Sequence, residues 1–172
     1  MAKLIVLFGL PGSGKSTWAS KHINSWTLML SSDEIREELW GDASIQANPK
    51  QVFDLLYARA KLALENGFNL IVDSTNLKAK DRKHLLQELK PYATKCEIVI
   101  FATPIEECIL RQEKRARKVP AEVIERMKNG AQEPTLDEGW DSIKVVMLAA
   151  ARGGYHHPAF VASWAGARRK VD

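Results

Sequence analysis

The residues best suited to chemistry form a glycine-rich stretch near the N-terminus, residues 9–17, with the sequence GLPGSGKST. An apolar run at residues 4–8 precedes it and predicts a buried strand, and the residues that follow predict a helix. In this setting the glycines let successive backbone N–H groups point at the phosphates of a nucleotide, and the helix adds partial positive charge. We expect a phosphate-binding loop formed by Gly9, Pro11, Gly12, Ser13, Gly14, Lys15, Ser16 and Thr17.

Two side chains of this loop have distinct expected roles. Lys15 is expected to reach the β- and γ-phosphate oxygens as a point charge, and the Ser16 hydroxyl to bind Mg²⁺. The predicted cofactors are therefore ATP, or another NTP, and Mg²⁺. The alternative is a glycine-rich turn that matches by chance, which the preceding strand and the following helix disfavour.

Asp33 and Arg36 follow the second predicted strand and are three residues apart, so they share one side of a helical turn. A carboxylate at this place can accept the proton of an attacking hydroxyl, and an arginine one turn further can hold the acceptor. The alternative is an acid that favours a helix N-terminus beside a surface arginine.

Asp73 comes directly after another apolar strand, where an acid can order Mg²⁺ through water or through Ser16. The alternative is a carboxylate that only forms a turn. The next residue is Ser74 rather than the glutamate that motor ATPases commonly place there, which favours a kinase.

The densest positive run of the chain lies at residues 111–118, RQEKRARK. It predicts a lid whose arginine closes over the triphosphate and stabilises charge during transfer. The alternative is a solvated helix end whose cations favour the helix dipole.

Strands and helices alternate along the chain, which predicts an α/β fold with a parallel sheet of about five strands flanked by helices. Ser31 or Ser32 is expected to cap the second helix, Asn48 the third, and the run at residues 103–106 predicts a capping box. The predicted strands are residues 1–8, 26–30, 68–72, 96–101 and 143–148, and the predicted helices are 14–22, 32–39, 48–66 and 80–90, with two more starting near 103 and 120.

Length and composition fit one globular domain, since the chain has 172 residues, 45% apolar residues and a net charge of +4. No apolar run approaches the roughly 20 residues of a membrane helix, so we expect a cytoplasmic protein with no membrane association. Cys96 and Cys108 lack metal-ligand spacing and are expected to be reduced, buried thiols. We expect one domain over residues 1–148 and a C-terminal extension over residues 149–172.

Taken in order, five motifs resemble the polynucleotide 5′-hydroxyl kinase domain of the P-loop kinases. They are residues 9–17, Ser-Asp-x-x-Arg at 32–36, Asp-Ser-Thr-Asn at 73–76, the stretch 111–115 and Val-Pro-x-x-Val-Ile at 119–124. The resemblance covers residues 3–148 and implies a P-loop kinase fold with a helical lid. It also implies transfer of the γ-phosphate of ATP to the 5′-OH end of RNA or DNA, and a role in nucleic acid repair.

The resemblance further implies roles for single residues. Lys15 and Ser16 match the phosphate-binding lysine and the magnesium-binding hydroxyl of the family. Asp33 matches its general base, and Arg36 matches the arginine that holds the phosphate on the 3′ side of the terminal nucleotide. The contact of Asp73 stays open, because family members differ in the position of this acid.

Arg115 best matches the lid arginine that contacts the donor phosphates, with Lys114 or Arg117 as alternatives because the alignment needs a one-residue gap. Two other functions stay open. One is a kinase of a small metabolite or nucleoside, and the other is a nucleotide-binding switch or partner-binding ATPase that has no phosphoryl acceptor. An extended basic groove leading from Asp33 favours nucleic acid, and a closed pocket favours the metabolite. The sequence leaves the oligomeric state and the preference for RNA or DNA open.

Overall fold

A single parallel sheet of five strands, in the order β2-β3-β1-β4-β5, organises the chain. The computed structural model describes residues 2–147, so the predicted extension at residues 149–172 lies outside the described part. The α/β fold predicted from the sequence is confirmed, as are all five strands. Their bounds are Lys3–Phe8 (β1), Thr27–Ser31 (β2), Asn69–Asp73 (β3), Lys95–Phe101 (β4) and Ser142–Val146 (β5).

Six α-helices connect the strands of the described part. The described part also has two 3₁₀ turns, at Lys90–Tyr92 and Leu136–Glu138. The α-helices are Lys15–His22 (α1), Ser32–Trp40 (α2), Pro49–Glu65 (α3), Ala79–Leu89 (α4), Ile105–Glu113 (α5) and Ala121–Asn129 (α6).

The central strand β1 is apolar at nearly every position because both of its faces are buried. Leu4, Val6 and Phe8 pack into the larger core, which α2 to α6 cover. Leu7 packs on the opposite face, against Ala19 of α1. The sheet is therefore covered from both sides, which holds the carboxyl ends of its strands in place.

Two of the predicted helix caps are confirmed. The Ser31 hydroxyl accepts a hydrogen bond from the backbone N–H of Glu34 (3.4 Å), so Ser31 and not Ser32 caps α2. The Asn48 side chain accepts from the backbone N–H of Gln51 (3.2 Å) at the start of α3. These caps form locally, within three residues of chain.

The capping box predicted at residues 103–106 is wrong. Thr103 is 2% exposed, and its hydroxyl donates to the backbone carbonyl of Ser13 (2.8 Å) instead of capping α5. Thr103 lies just after β4 and faces the phosphate-binding loop, so its hydroxyl bonds to that loop and not to α5. The helix predicted at residues 80–90 is observed as α4, which ends at Leu89, and Pro91 lies inside the 3₁₀ turn that follows.

Cys96 and Cys108 are both buried and free, as predicted. Burial raises the pKa of each thiol to about 11, so both are protonated at neutral pH. Among residues 2–147, no helix has the length and apolar character needed to cross a membrane.

Candidate active site

The glycine-rich loop makes a tight turn against α5. Gly12 and Gly14 have φ of +83° and +98°, in the left-handed region that favours glycine. A Cβ at Gly12 would lie 2.5 Å from the backbone carbonyl oxygen of Cys108, so α5 also leaves no room for a side chain. The loop conformation therefore depends on glycine twice, once for its backbone angles and once for close packing.

Lys15 is the buried cation of this loop, with 8% of its surface exposed. Its Nζ donates to the carbonyl oxygens of Gly9 (2.8 Å) and Leu10 (2.9 Å), both of which are neutral acceptors. Burial lowers the pKa of Lys15 to about 8, and the charge of Asp73 opposes that effect. A buried ammonium with neutral partners fits a site that receives an anion such as a phosphate.

Ser16, the first-turn hydroxyl of α1, donates to Oδ2 of Asp73 at the end of β3 (2.7 Å). A hydroxyl and a carboxylate oxygen are hard oxygen ligands of the kind that Mg²⁺ prefers. In residues 2–147 no group of three or more His, Cys, Asp or Glu residues could hold a metal. A site with one carboxylate fits magnesium that is shared with substrate phosphates.

Asp33 and Arg36 lie side by side on α2, as their spacing predicts. Arg36 Nη1 is 2.9 Å from Asp33 Oδ1, and it also donates to the Ser32 hydroxyl (3.4 Å). Arg36 is buried, whereas the Asp33 side chain is 57% exposed. The other carboxylate oxygen, Oδ2, pairs with Arg117 Nη1 at 3.2 Å, a contact that sequence reasoning missed.

Only the first three residues of the basic run at 111–118 belong to α5, because the helix ends at Glu113. Residues 114–118 form a loop between α5 and α6. Of the three candidate lid cations, Arg115 and Arg117 line the cleft above the phosphate-binding loop, and Lys114 does not line it. Arg115 is close enough to Lys15 for its charge to affect the ammonium. Arg111, at the base of the run, contacts the carbonyl of Gly12 (3.4 Å).

One cleft of about 810 Å³ brings these groups together. Lys15, Ser16 and Asp73 line it together with Asp33 and Arg36, so these predicted site residues converge. Pro11, Gly12 and Gly14 also line it, whereas Gly9, Ser13 and Thr17 do not. Part of its wall is apolar and was not predicted. That wall consists of Phe53 and Tyr57 from α3, Leu85 from α4, Val119, and Val123 and Met127 from α6. The sequence indicates this apolar wall only through the four-residue spacing of Phe53 and Tyr57 on α3 and of Val123 and Met127 on α6.

A buried ion pair supports the turn after β3 and was also missed. Arg82 is fully buried and bonds both carboxylate oxygens of Glu138, at 2.5 and 2.8 Å. Arg82 also donates to the carbonyl of Asn76 (2.9 Å), a residue with φ of +50°. The Asn76 amide in turn donates to the carbonyl of Leu7 (2.7 Å). This network fixes the turn that follows Asp73.

Comparison with known proteins agrees with this architecture. A family model described as AAA domain (AAA_33) matches residues 4–134. An L-seryl-tRNA(Sec) kinase of Methanococcus maripaludis is 32% identical over 148 residues, which cover 80% of this chain and 56% of that protein.

Solved structures share the fold. A chain of the Pnkp1/Rnl/Hen1 RNA repair complex superposes with a TM-score of 0.68 and 26% identity, over 75% of this chain and 43% of that one. Kti12 of Chaetomium thermophilum in complex with ADP-AlF3 gives a TM-score of 0.64 at 24% identity, over 84% of this chain and 88% of that one. The chain thus spans about half the length of the kinase relative and less than half of the repair-complex chain.

Proposed function

Because the chain belongs to the AAA_33 family, within the P-loop kinase superfamily, we propose that it is an ATP-dependent polynucleotide kinase. It transfers the γ-phosphate of ATP to the 5′-OH end of RNA or DNA. One observation carries the proposal. The Asp33–Arg36 pair lies in the same cleft as the phosphate-binding loop, so a base and an acceptor-binding cation adjoin the donor site.

The predicted site residues each have a role in an in-line transfer of the γ-phosphate. Asp33 accepts the proton of the 5′-hydroxyl, and Arg36 holds the phosphate on the 3′ side of the terminal nucleotide. Lys15 and Arg115 stabilise the negative charge of the transferred phosphoryl group. Ser16 and Asp73 would hold Mg²⁺, which would supply positive charge against the donor phosphates.

A polynucleotide acceptor fits the chemistry of the cleft wall. Arg36, Arg117 and Arg126 line the cleft and supply positive charge, and the apolar residues from α3 and α6 that also line it offer a surface for a base. Cations bind phosphates, whereas apolar and aromatic side chains contact the faces of bases. The names of two relatives, a seryl-tRNA kinase and an RNA repair complex, also involve RNA.

A second candidate comes from the archaeal relative, whose name gives the serine hydroxyl of an aminoacyl-tRNA as the acceptor. The same base and phosphate-binding groups serve that reaction, since both acceptors are primary alcohols. The two functions differ in the hydroxyl that receives the phosphate, which is a 5′-OH end in one and the serine hydroxyl of an aminoacyl-tRNA in the other. Acceptors that offer only one of these hydroxyls therefore distinguish the two functions.

The test is transfer of labelled γ-phosphate from ATP and Mg²⁺ to matched RNA and DNA oligonucleotides with 5′-OH or 5′-phosphate ends. Seryl-tRNA with a 5′-phosphate is included, because its serine offers the alternative hydroxyl. We expect label only on the 5′-OH strands, lost in Asp33→Asn and kept in Glu37→Gln, an exposed acid one turn further along α2. Label on seryl-tRNA alone would replace the proposal with the second candidate. No label on any RNA or DNA, from protein that binds ATP, would reject both.

We also propose that residues 1–148 form the kinase unit and that the protein acts in the cytoplasm.

A further inference from the structure

Both ends of the loop at residues 114–118, here called the lid loop, are hydrogen-bonded to Gln112 in the last turn of α5. The backbone carbonyl of Gln112 accepts from the N–H of Arg115 (3.1 Å), near the start of the loop. Its side-chain carbonyl Oε1 accepts from the N–H of Val119 (3.2 Å), just after the end of the loop. Gln112 therefore closes the lid loop into an arch, and Arg115 lies within this arch.

The Gln112 side chain is polar but buried, with 2% of the residue exposed. A buried polar group destabilises the fold unless its hydrogen bonds are made. Among residues 2–147, the amide Nε2 of Gln112 has no hydrogen-bond partner, whereas Oε1 has the N–H of Val119. The bond to Val119 is therefore the polar contact that the side chain makes in this part of the chain, and an apolar side chain of the same length would remove that bond alone.

The helix that follows the lid loop, α6, is attached separately at its far end. Lys78 Nζ donates to the carbonyl of Gly130 (2.7 Å), and the N–H of Ala79 donates to the side-chain carbonyl of Gln132 (2.9 Å). These contacts join the end of α6 to the turn before α4. Loss of the Gln112 side-chain bond should therefore loosen the lid loop and leave α6 in place.

The arch keeps Arg115 on the donor side of the cleft. Burial lowers the pKa of Lys15 to about 8, and the charge of Arg115 acts in the same direction, so the two cations lie near each other. Like charges repel, so Lys15 does not itself hold Arg115 there. The backbone conformation of the lid loop becomes the restraint on this arginine.

We propose that Gln112 is a positioning residue, which holds Arg115 at the donor phosphates by closing the lid loop. The inference rests on the proposed function, in which Arg115 stabilises the transferred phosphoryl group. A guanidinium that is already in position needs no reorganisation during transfer, so it stabilises the transition state more than a mobile one does. Opening the loop should lower kcat and leave KM for the acceptor unchanged, because Asp33 and Arg36 lie on α2.

The test is a double-mutant cycle of γ-phosphate transfer to a 5′-OH RNA oligonucleotide, with the wild type, Gln112→Met, Arg115→Ala and the double variant. Gln112→Met should lower kcat about fivefold or more, as expected when a partly buried backbone N–H loses its partner. KM for the oligonucleotide should stay at the wild-type value. In the Arg115→Ala background, Gln112→Met should have no further effect, because Gln112 acts through Arg115.

Gln132→Met is the matched control. The Gln132 side-chain carbonyl also accepts a backbone N–H, but at the far end of α6, and Gln132 does not line the cleft. This variant should keep the wild-type kcat. An equal loss of kcat in Gln132→Met overturns the inference. So does a full further loss when Gln112→Met is added to Arg115→Ala, because Gln112 would then act independently of the arginine.

Limited digestion with trypsin separates this inference from the proposed function, because it needs no phosphoryl acceptor. The lid loop offers exposed trypsin sites at Lys114, Arg115, Arg117 and Lys118. Gln112→Met should speed cleavage in the loop about fivefold or more and leave cleavage elsewhere at the wild-type rate, since it loosens this segment alone. If no acceptor is phosphorylated but this selective cleavage is seen, the proposed function fails and the restraint by Gln112 holds. Unchanged cleavage of the loop, or faster cleavage throughout the chain, overturns the inference.

Discussion

The hydroxyl of Ser16 donates a 2.7 Å hydrogen bond to Asp73 Oδ2, which joins the first turn of α1 to the carboxyl end of β3. The pair links two motifs that lie far apart in the chain. It also brings a hydroxyl and a carboxylate oxygen to the phosphate-binding loop, where Mg²⁺ and donor phosphates meet in this superfamily.

Replacing Asp73 should weaken the effect of Mg²⁺ on nucleotide binding. In Asp73→Asn the ATP affinity with MgCl₂ should fall about tenfold, while the affinity in EDTA changes little, because the carboxylate acts through the metal. Calorimetric titration with ATP under both conditions measures this. Asp81→Asn, another acid of the cleft, should behave as the wild type. An equal loss in EDTA would show that Asp73 only supports the loop.

A methyl group at Gly12 should displace the loop from α5. Gly12 and Gly67 share a φ of +83°, but a Cβ at Gly67 meets nothing within 4 Å, whereas one at Gly12 meets the Cys108 carbonyl at 2.5 Å. Gly67→Ala therefore reports backbone strain alone, about 1 kcal/mol. Gly12→Ala should cost clearly more free energy of unfolding and also abolish ATP binding. Equal losses of stability in the two variants, measured by urea unfolding, would contradict the close packing.

The stability of the sheet should depend on the charge of Glu97, a buried residue of β4. Burial tends to raise the pKa of its carboxyl, but hydrogen bonds from Lys95 and Lys144 outweigh burial and lower the pKa to about 2. The folded state thus favours the charged form, which stabilises the protein above pH 4.5, the usual pKa. That stabilisation is lost as the pH falls towards 2.

Glu97→Gln should therefore lower the free energy of unfolding by about 1–3 kcal/mol at pH 7. The difference from the wild type should shrink as the pH falls from 5 to 3, because the wild type loses its own contribution there. Urea unfolding at several pH values measures it, with Glu125→Gln, an exposed residue of α6, as the control. If the stability difference between the wild type and Glu97→Gln stays constant with pH, the low pKa of Glu97 is contradicted.

Breaking the Arg82–Glu138 pair should destabilise the fold strongly. Glu138→Gln leaves a fully buried guanidinium without its counter-charge, which should cost about 3–5 kcal/mol. Glu38→Gln, which breaks the exposed pair with Arg59, should change stability little. The double variant Arg82→Met, Glu138→Gln should recover part of the loss, since no unpaired charge remains. Thermal unfolding of the three variants tests this, and a mild effect of Glu138→Gln would contradict it.

Local sequence patterns predicted much of this structure because the side-chain repeat of a helix or a strand spans only a few residues. The apolar run of β1 and the caps at Ser31 and Asn48 follow from neighbours in the chain. The same holds for the Asp33–Arg36 pair, since residues three apart on a helix face each other. Thr103 shows the limit of this reasoning. Its sequence favours a cap, but tertiary packing directs its hydroxyl to the phosphate-binding loop.

The sequence by itself determined the phosphate-binding loop, the alternation of strands and helices, and the short-range pair that includes Asp33. Only the tertiary structure decided that Arg117 reaches Asp33, that Arg82 pairs with Glu138, and that residues from α3 and α6 form one apolar wall. The physical reason is sequence separation. Periodicity and capping report contacts within one or two turns, whereas these contacts depend on which helices the sheet order places side by side.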